Sequence, residues 1–362
     1  MHPRHGGNLT WAASLAGCPP ENLLDFSASI NPLGPPVTAI AAIQSRLSSL
    51  RAYPDPDYTS LCSRLGQLHQ LEREWILPGN GTAELLTWVG RDLADLDAVV
   101  VFTPAFADYD RAISSFGGQI CPCPFRLSLI DRQLQISDYG QLLHRVLDQV
   151  AGDRTGLLLN NPHNPTGQML AAELLLPYLK CLPLVVVDEA YMDFLPPAQQ
   201  ESLIPLVQQY PNLVVLRSLT KFYSLPGLRL GYAVGHPDRL HRWQKWRDPW
   251  PVNALAIAAA EAVLADDQFN QQTWAWLPSA RQQLWQGLSA LEGLAPLMGA
   301  ANFLLVHAAT SVPQLQKELL QKYQILIRDC LSFAELGDRY FRVAVRREAE
   351  NQQLLASLAQ LL

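Results

Sequence analysis

Short runs of apolar residues recur through the middle of the chain, and each run ends at a polar or turn-forming residue. They lie at 98–102, 156–160, 184–188, 213–216 and 230–234. Because the runs are continuous and not alternating, they are typical of strands buried on both faces of a sheet. The pattern over 169–181, between two of these runs, predicts a crossover helix. The alternation therefore predicts βαβ units and a largely parallel sheet.

The pattern changes at about residue 249. Helical spacing extends from there to about residue 291, and shorter apolar runs at 303–306, 325–327 and 341–345 predict the strands of a smaller sheet. The first 45 residues are loop-rich and have no apolar core of their own, so we expect them to pack on this second part.

These patterns predict an α/β fold with two domains. Residues 46–248 form the large domain, with a mostly parallel mixed sheet sandwiched by helices. Residues 1–45 and 249–362 together form a smaller α+β domain.

Composition narrows the class of protein. The chain has 362 residues, with 27 Lys and Arg against 33 Asp and Glu, so its formal net charge is −6. Nucleic-acid binders usually carry a basic excess, and we therefore expect no nucleic-acid partner. A hydrophobic share of 49% with 17% charged residues excludes a disordered chain. Lysine is rare and does not occur before Lys180, which draws attention to a lysine inside a dense motif.

Nothing in the sequence predicts export, a membrane or a metal. The start at 1–7 has no apolar core behind a charged head, and the longest apolar stretch, 252–265, is interrupted by polar residues. The six cysteines are scattered, and the spacing of Cys121 and Cys123 does not suit a zinc site. We expect free thiols, no metal and a cytoplasmic protein.

Candidate chemistry is densest at 218–231, which reads SLTKFYSLPGLRLG. The amine of Lys221 can condense with an aldehyde as a Schiff base if nearby cations or burial lower its pKa. Arg229 follows a Pro-Gly turn and can return to the same site to hold a phosphate. The S-x-x-K at its start also begins a β-lactamase motif, but the other elements of that motif are lacking.

Three other segments place polar groups just beyond strand ends, where α/β sheets bind ligands. Asp188 ends a buried run and can keep a pyridine nitrogen protonated, or cap a helix. Asn164 lies in NPHNPTG at 161–167, whose two X-Pro units impose a rigid path. The sequence GNGT at 79–82 precedes a predicted helix, and free N–H groups at a helix start bind anions.

In this order, the four segments resemble the fold-type I pyridoxal-phosphate enzymes of the class I/II aminotransferase superfamily, over essentially the whole chain. The resemblance implies pyridoxal 5'-phosphate as cofactor and Lys221 as the Schiff-base lysine. It implies that Asp188 pairs with the pyridine nitrogen and that Phe106 stacks on the ring. It also implies that Asn164 and Tyr191 contact the phenolic oxygen of the cofactor. The implied contacts to the cofactor phosphate come from Ser218, Arg229 and the backbone of Asn80, Gly81 and Thr82.

The same resemblance implies a homodimer with shared active sites. Tyr53, in the sequence Tyr53-Pro54-Asp55, matches a tyrosine that reaches the phosphate bound to a neighbouring subunit.

Two subfamilies are similar to this chain: L-threonine-O-3-phosphate decarboxylases of cobalamin biosynthesis and histidinol-phosphate aminotransferases. The segments HGGN at 5–8, DFSASINPLGP at 25–35, IRDC at 327–330 and YFRVAVR at 340–346 resemble the decarboxylase pattern. They imply decarboxylation of L-threonine O-3-phosphate to (R)-1-amino-2-propanol O-phosphate and CO₂. The implied substrate-binding residues are His5, Gly6, Asn31, Asn164, Arg328 and Arg342.

Two alternatives stay open at the level of sequence. The cofactor residues serve decarboxylation and transamination alike, since the outcome depends on which bond at Cα is held perpendicular to the ring. A pyridoxal-phosphate-binding regulator would need an added DNA-binding module, for which a motif beginning at residue 5 leaves no room.

Two further arginines near the C-terminus, Arg346 and Arg347, are expected to be solvated surface charges.

Overall fold

The computed structural model describes residues 5–131, 133–150, 152–333 and 335–362. Its helices are α1 (Leu9–Ala16), α2 (Val37–Arg46), α3 (Thr59–His69), α4 (Gly81–Leu93), α5 (Ala107–Ser114), α6 (Tyr139–Val150), α7 (Leu176–Leu179), α8 (Leu219–Phe222), α9 (Pro237–Trp246), α10 (Ala254–Val263), α11 (Asp267–Ser289), α12 (Val312–Tyr323) and α13 (Glu348–Ala359). Its strands are β1 (Leu24–Asp25), β2 (Ile76–Asn80), β3 (Ala98–Thr103), β4 (Ile120–Pro124), β5 (Leu127–Ile130), β6 (Gln133–Ile136), β7 (Thr155–Asn160), β8 (Leu184–Asp188), β9 (Leu213–Ser218), β10 (Leu230–Gly235), β11 (Leu294–Leu297), β12 (Phe303–Ala308), β13 (Ile325–Leu326), β14 (Arg328–Asp329) and β15 (Tyr340–Ala344).

A seven-stranded sheet forms the centre of the molecule, in the order β2-β10-β9-β8-β7-β3-β4. Strand β10 runs antiparallel to both of its neighbours, and the pairs from β9 to β4 are parallel. Every residue of β7 to β10 is buried. Along β8, Val185 and Val187 contribute to one hydrophobic core, whereas Leu184 and Val186 contribute to the other. Layers on both faces thus explain the continuous apolar runs, and the predicted α/β class is confirmed.

The predicted crossover helix over 169–181 is wrong. That region holds a 3₁₀ turn at Ala172–Leu175 and the four-residue helix α7. Pro177 has no N–H to continue a helix across this point. Upstream, the side chain of Asn161 bonds both the N–H and the carbonyl of Leu170, at 2.9 and 2.8 Å, which holds the backbone outside a helix.

A second, antiparallel sheet has the order β11-β12-β15-β14. The apolar run at 325–327 does not form one of its strands as predicted. Instead, β13 pairs with β1, and β14, which begins after Ile327, joins the sheet. The N-terminal segment packs on this part of the molecule through the β1–β13 pair and through α1 against α12. The two-domain division remains a prediction, and its residues 1–4 lie outside the described residues.

None of the helices in the described ranges is both long enough and apolar enough to cross a membrane. All six cysteines lie in those ranges and are free thiols, as the sequence predicts.

Candidate active site

Lys221 lies one turn beyond the carboxyl end of β9, on the short helix α8. The side chain of Ser218 caps this helix by accepting a hydrogen bond from the Thr220 N–H. The pKa of Lys221 is lowered to about 8, mainly by burial and also by the positive charges of Arg229 and Arg342, while Asp188 opposes them. The amine is therefore partly neutral near physiological pH, which suits a nucleophile.

Asp188 ends the neighbouring strand β8, and both of its carboxylate oxygens accept hydrogen bonds. Oδ2 accepts from the hydroxyl of Tyr109 at 2.8 Å, and Oδ1 from the Ala190 N–H at 3.0 Å. Burial raises the pKa of Asp188, whereas these two bonds and the charge of Lys221 lower it. The sequence analysis did not identify Tyr109 as a site residue. It could have been found from its position on α5, one turn after Phe106.

An open cradle lies where β2 passes into α4. Strand β10 pairs with β2 and brings Arg229 beside Gly81. Gly81 has φ +71°, and a Cβ there would lie 2.7 Å from Nη2 of Arg229. A Cβ at Gly231 would lie 2.9 Å from the Thr82 backbone nitrogen. The two glycines thus keep a helix N-terminus and a guanidinium accessible to a phosphate, so these residues fit a phosphorylated cofactor.

Asn80 differs from the other residues predicted to bind the phosphate at this turn, because its backbone N–H already has a partner within the chain. Its backbone N–H donates to Oε2 of Glu84 at 2.7 Å, and the other oxygen of Glu84 accepts from the Trp88 indole at 2.8 Å. The amide of Asn80 is thus engaged within the first turn of α4, and the residue is not part of the cavity wall.

A cavity of about 350 Å³ opens along this edge of the sheet. The predicted site residues that line it are His5, Gly6, Thr82, Phe106, Asn164, Asp188, Tyr191, Ser218, Lys221, Arg229, Arg328 and Arg342. The structure does not bring Asn31, Tyr53, Asn80 or Gly81 to its wall. Lining residues that were not predicted include Ser27, Ser29, Asp108, Tyr109, Asn160 and Ser332. Two of them belong to the 25–35 motif itself.

Arg328 and Arg342 lie side by side, because β14 and β15 pair at these two positions. Both are buried. Arg342 donates from Nη1 to Oδ1 of Asn164 at 2.5 Å and from Nη2 to the carbonyl of Ser27 at 3.2 Å. Its Nε is buried without a hydrogen-bond partner among the described residues. Burial lowers the pKa of Arg328, the carboxylate of Asp329, 3.7 Å from Nη1, raises it, and the charge of Arg342 lowers it. Two adjacent guanidinium groups beside the single carboxylate of Asp329 leave a net positive charge at this wall, which suits an anion.

The loop that carries Asn164 is tied to the loop that carries Phe106. His163 is fully buried, and its Nδ1 shares a hydrogen bond of 2.8 Å with the hydroxyl of Thr166. The backbone of Pro104 also bonds to this ring, and burial lowers the pKa of His163 to about 3. A neutral histidine therefore joins two loops that both contribute residues to the cavity wall.

Asn31 and Tyr53 lie away from the cavity for different reasons. The Asn31 amide nitrogen donates to the Phe222 carbonyl and to the Thr273 hydroxyl, each at 2.9 Å. It therefore stabilises α8 without reaching the cavity wall. Tyr53 is 78% exposed, and its ring stacks on Trp250 with 4.4 Å between the centroids.

A family model described as aminotransferase class I and II matches residues 21–358. The chain belongs to this family. Membership, together with the lysine and the cradle, defines an enzyme that depends on pyridoxal phosphate.

The chain is similar to two curated relatives whose names include a decarboxylase or cobalamin biosynthesis. It is 40% identical to threonine-phosphate decarboxylase of Salmonella typhimurium over 99% of this chain and 96% of that one. It is 31% identical over 98% of its length to an adenosylcobalamin biosynthesis bifunctional protein of Leptospira interrogans, of which it spans 40%.

Solved structures agree on the fold. The L-threonine-O-3-phosphate decarboxylase of Porphyromonas gingivalis superposes with a TM-score of 0.81 and 25% identity, over 93% of this chain and 98% of that one. The histidinol-phosphate aminotransferase of Clostridium acetobutylicum gives a TM-score of 0.83 and 25% identity, over 94% and 99%. The fold alone thus does not separate the two reactions.

Proposed function

We propose that this enzyme decarboxylates L-threonine O-3-phosphate to (R)-1-amino-2-propanol O-phosphate and CO₂, in cobalamin or related corrinoid biosynthesis. The observation that carries the proposal is the pair of adjacent buried guanidiniums, Arg328 and Arg342, in one cavity with Lys221. The 40% identity to a threonine-phosphate decarboxylase supports the reaction, and the name of the Leptospira relative supports the pathway.

The substrate carries two anionic groups, a carboxylate and a phosphate. A guanidinium can hold either through two parallel hydrogen bonds. Arg328, Arg342 and His5 all line the cavity and supply positive or hydrogen-bonding groups for both. Gly6 and Asn164 are proposed to complete the substrate site. Asn31, which faces away, is proposed to act indirectly by supporting α8.

The cofactor residues are proposed by their positions around the cavity. Asp188 would pair with the ring nitrogen, Asn164 and Tyr191 would hold the phenolic oxygen, and Phe106 would cover the ring. The phosphate would be held by Ser218, Arg229, Gly81 and Thr82, with Asn80 supporting the turn through Glu84.

Bound pyridoxal phosphate supplies an electron sink for the bond that breaks at Cα. The chain's own residues select that bond. Arg328 and Arg342 fix the anionic ends of the substrate and thereby the direction of its carboxylate. Tyr109 keeps the Asp188 carboxylate oriented. Nζ of Lys221, with its pKa near 8, can hold and deliver the proton that Cα needs after CO₂ leaves.

A comparison of two substrates tests this function. We expect purified holoenzyme to release CO₂ from L-threonine O-3-phosphate without any oxo acid. The second candidate, histidinol-phosphate aminotransferase, is favoured by the similar Clostridium structure. Turnover of histidinol phosphate that requires 2-oxoglutarate, with no CO₂ from threonine phosphate, would establish that candidate instead.

The pKa of Lys221 predicts how fast apoenzyme captures the cofactor. Only the neutral amine reacts, and with a pKa of about 8 roughly one amine in ten is neutral at pH 7. The capture rate should therefore rise about tenfold between pH 7 and pH 9 and then level off. Stopped-flow absorbance after mixing with pyridoxal phosphate measures it. A rate that keeps climbing past pH 10 would indicate an ordinary lysine.

The cradle predicts a steric effect of Gly81→Ala. The added Cβ would meet Nη2 of Arg229 at 2.7 Å, so the affinity for pyridoxal phosphate should fall about tenfold or more. Gly117→Ala is the matched control, because Gly117 also has a positive φ, +80°, but has open space around it. Equal dissociation constants for the two variants, measured by equilibrium dialysis, would argue against a phosphate at Gly81.

We also propose that the enzyme is a homodimer in which Tyr53 reaches the phosphate in the second subunit's site. Support comes from the exposure of Tyr53 and of the apolar Val37, Leu47 and Leu50 in the same segment. Tyr53→Phe should remain dimeric in sedimentation velocity but hold the cofactor about tenfold more weakly, through loss of one hydroxyl-to-phosphate bond. Monomeric wild-type holoenzyme at micromolar concentration would disprove the shared site.

We also propose a cytoplasmic location, with which the free cysteines are in keeping.

A further inference from the structure

Ser27 is a buried serine that lies between the N-terminal segment and the cavity. Its hydroxyl donates to Oδ1 of Asp25 at 2.6 Å and accepts from the Gly7 N–H at 2.8 Å. Its own N–H donates to the same oxygen of Asp25, at 2.7 Å. The carboxylate thus directs the hydroxyl proton toward itself and leaves a lone pair for Gly7.

Asp25 is itself fixed to the framework of the fold. It ends β1, which pairs with β13, and its carbonyl accepts from Nη1 of Arg346 at 2.9 Å. The serine therefore links the chain before α1 to the two-stranded β1–β13 pair, which fixes its position.

The segment of residues 5–7 lies directly on Ser27. A Cβ at Gly6 would fall 2.2 Å from the carbonyl oxygen of Ser27, so only glycine permits this approach. The same carbonyl accepts from Arg342. At the far end of the segment, His5 lies beside Phe106, with 5.6 Å between ring centroids, and its Nε2 is 4.0 Å from Oδ1 of Asp108. One residue thus contacts both the 5–7 segment and a guanidinium of the cavity wall.

We propose that Ser27, oriented by Asp25, is a positioning residue that holds the 5–7 segment against the cavity and so sets the affinity for the phosphate-bearing substrate. The proposal rests on the proposed function for its substrate. It assigns the hydroxyl no chemical step: its effect passes through the backbone of Gly7 to His5 and Gly6, while the carbonyl of Ser27 supports Arg342.

Ser27→Ala isolates this effect, because it removes the hydroxyl and leaves the carbonyl that Arg342 uses. In holoenzyme we expect the Gly7 amide to exchange with deuterium about tenfold faster. We expect KM for L-threonine O-3-phosphate to rise about tenfold and kcat to change less than about threefold. The visible cofactor band should be unchanged. Ser27→Thr keeps a hydroxyl and should restore both values. The matched control is Ser289→Ala, at an exposed serine that donates to a backbone carbonyl.

The outcomes separate the proposals. Unchanged exchange at Gly7 in Ser27→Ala overturns the role of Ser27, as does faster exchange with an unchanged KM. A loss of the cofactor band together with kcat shows a general structural role and also overturns it. If Ser27→Ala yields no folded holoenzyme, Asp25→Asn, which weakens the same acceptor, decides by the same two measurements. Wild-type enzyme that releases no CO₂ refutes the proposed function, while the exchange measurement still decides whether Ser27 holds the segment.

Discussion

Lys221→Ala should abolish the visible absorbance of the lysine-bound cofactor and lower CO₂ release from L-threonine O-3-phosphate by about 10³-fold or more. The amine has the geometry and the depressed pKa that covalent capture and proton delivery at Cα require, and alanine offers neither. Absorbance spectra and steady-state rates of the purified variant measure the effect. Lys180→Ala is the control, since that lysine is exposed and lies outside the cavity. A variant at Lys221 that keeps the band would show that another group binds the aldehyde.

Arg342→Ala should lower kcat/KM for threonine phosphate by about 10²- to 10³-fold, because it removes a buried, charged, two-pronged donor. The deletion also frees Oδ1 of Asn164, to which Arg342 donates. Arg342→Lys keeps the charge without the fork and should fall between wild type and alanine.

The control for this series is Arg64→Ala, at an exposed arginine away from the cavity. The cofactor band should persist in every variant. A change below about threefold in Arg342→Ala would assign substrate binding elsewhere in the site, since one charged hydrogen bond alone accounts for more.

Much of the fold was predictable because its signals are local. Strands β3 and β7 to β10 of the large sheet each contain a short apolar run, and the polar residues at their carboxyl ends follow within a few positions. The lysine, the aspartate and the glycine cradle therefore emerged from short motifs. Strands β2 and β4 were not predicted, because Pro78, Pro122 and Pro124 break their apolar pattern. The crossover helix failed for an equally local reason, since Pro177 interrupts it.

Long-range pairing was not predictable from the sequence. Arg346, expected to be solvated, is partly buried and donates to the Asp25 carbonyl and, at 2.6 Å, to Glu350. Asp25 lies more than 300 residues earlier in the chain. The contact of Tyr109 with Asp188 likewise joins two elements that no motif relates. Asn31 lies in a motif that resembles a substrate site, yet packing directs its amide toward α8.

The central claim is that this chain breaks the bond from Cα to the carboxylate and leaves the amino group in place. The most direct measurement is a mass balance of L-threonine O-3-phosphate turnover in D₂O by wild-type holoenzyme, with no oxo acid added. The account predicts one CO₂ per substrate consumed and an aminopropanol phosphate that retains its nitrogen and gains one deuterium on the former Cα. A product that retains the carboxylate and loses the amino group, or turnover that begins only when 2-oxoglutarate is added, would contradict it.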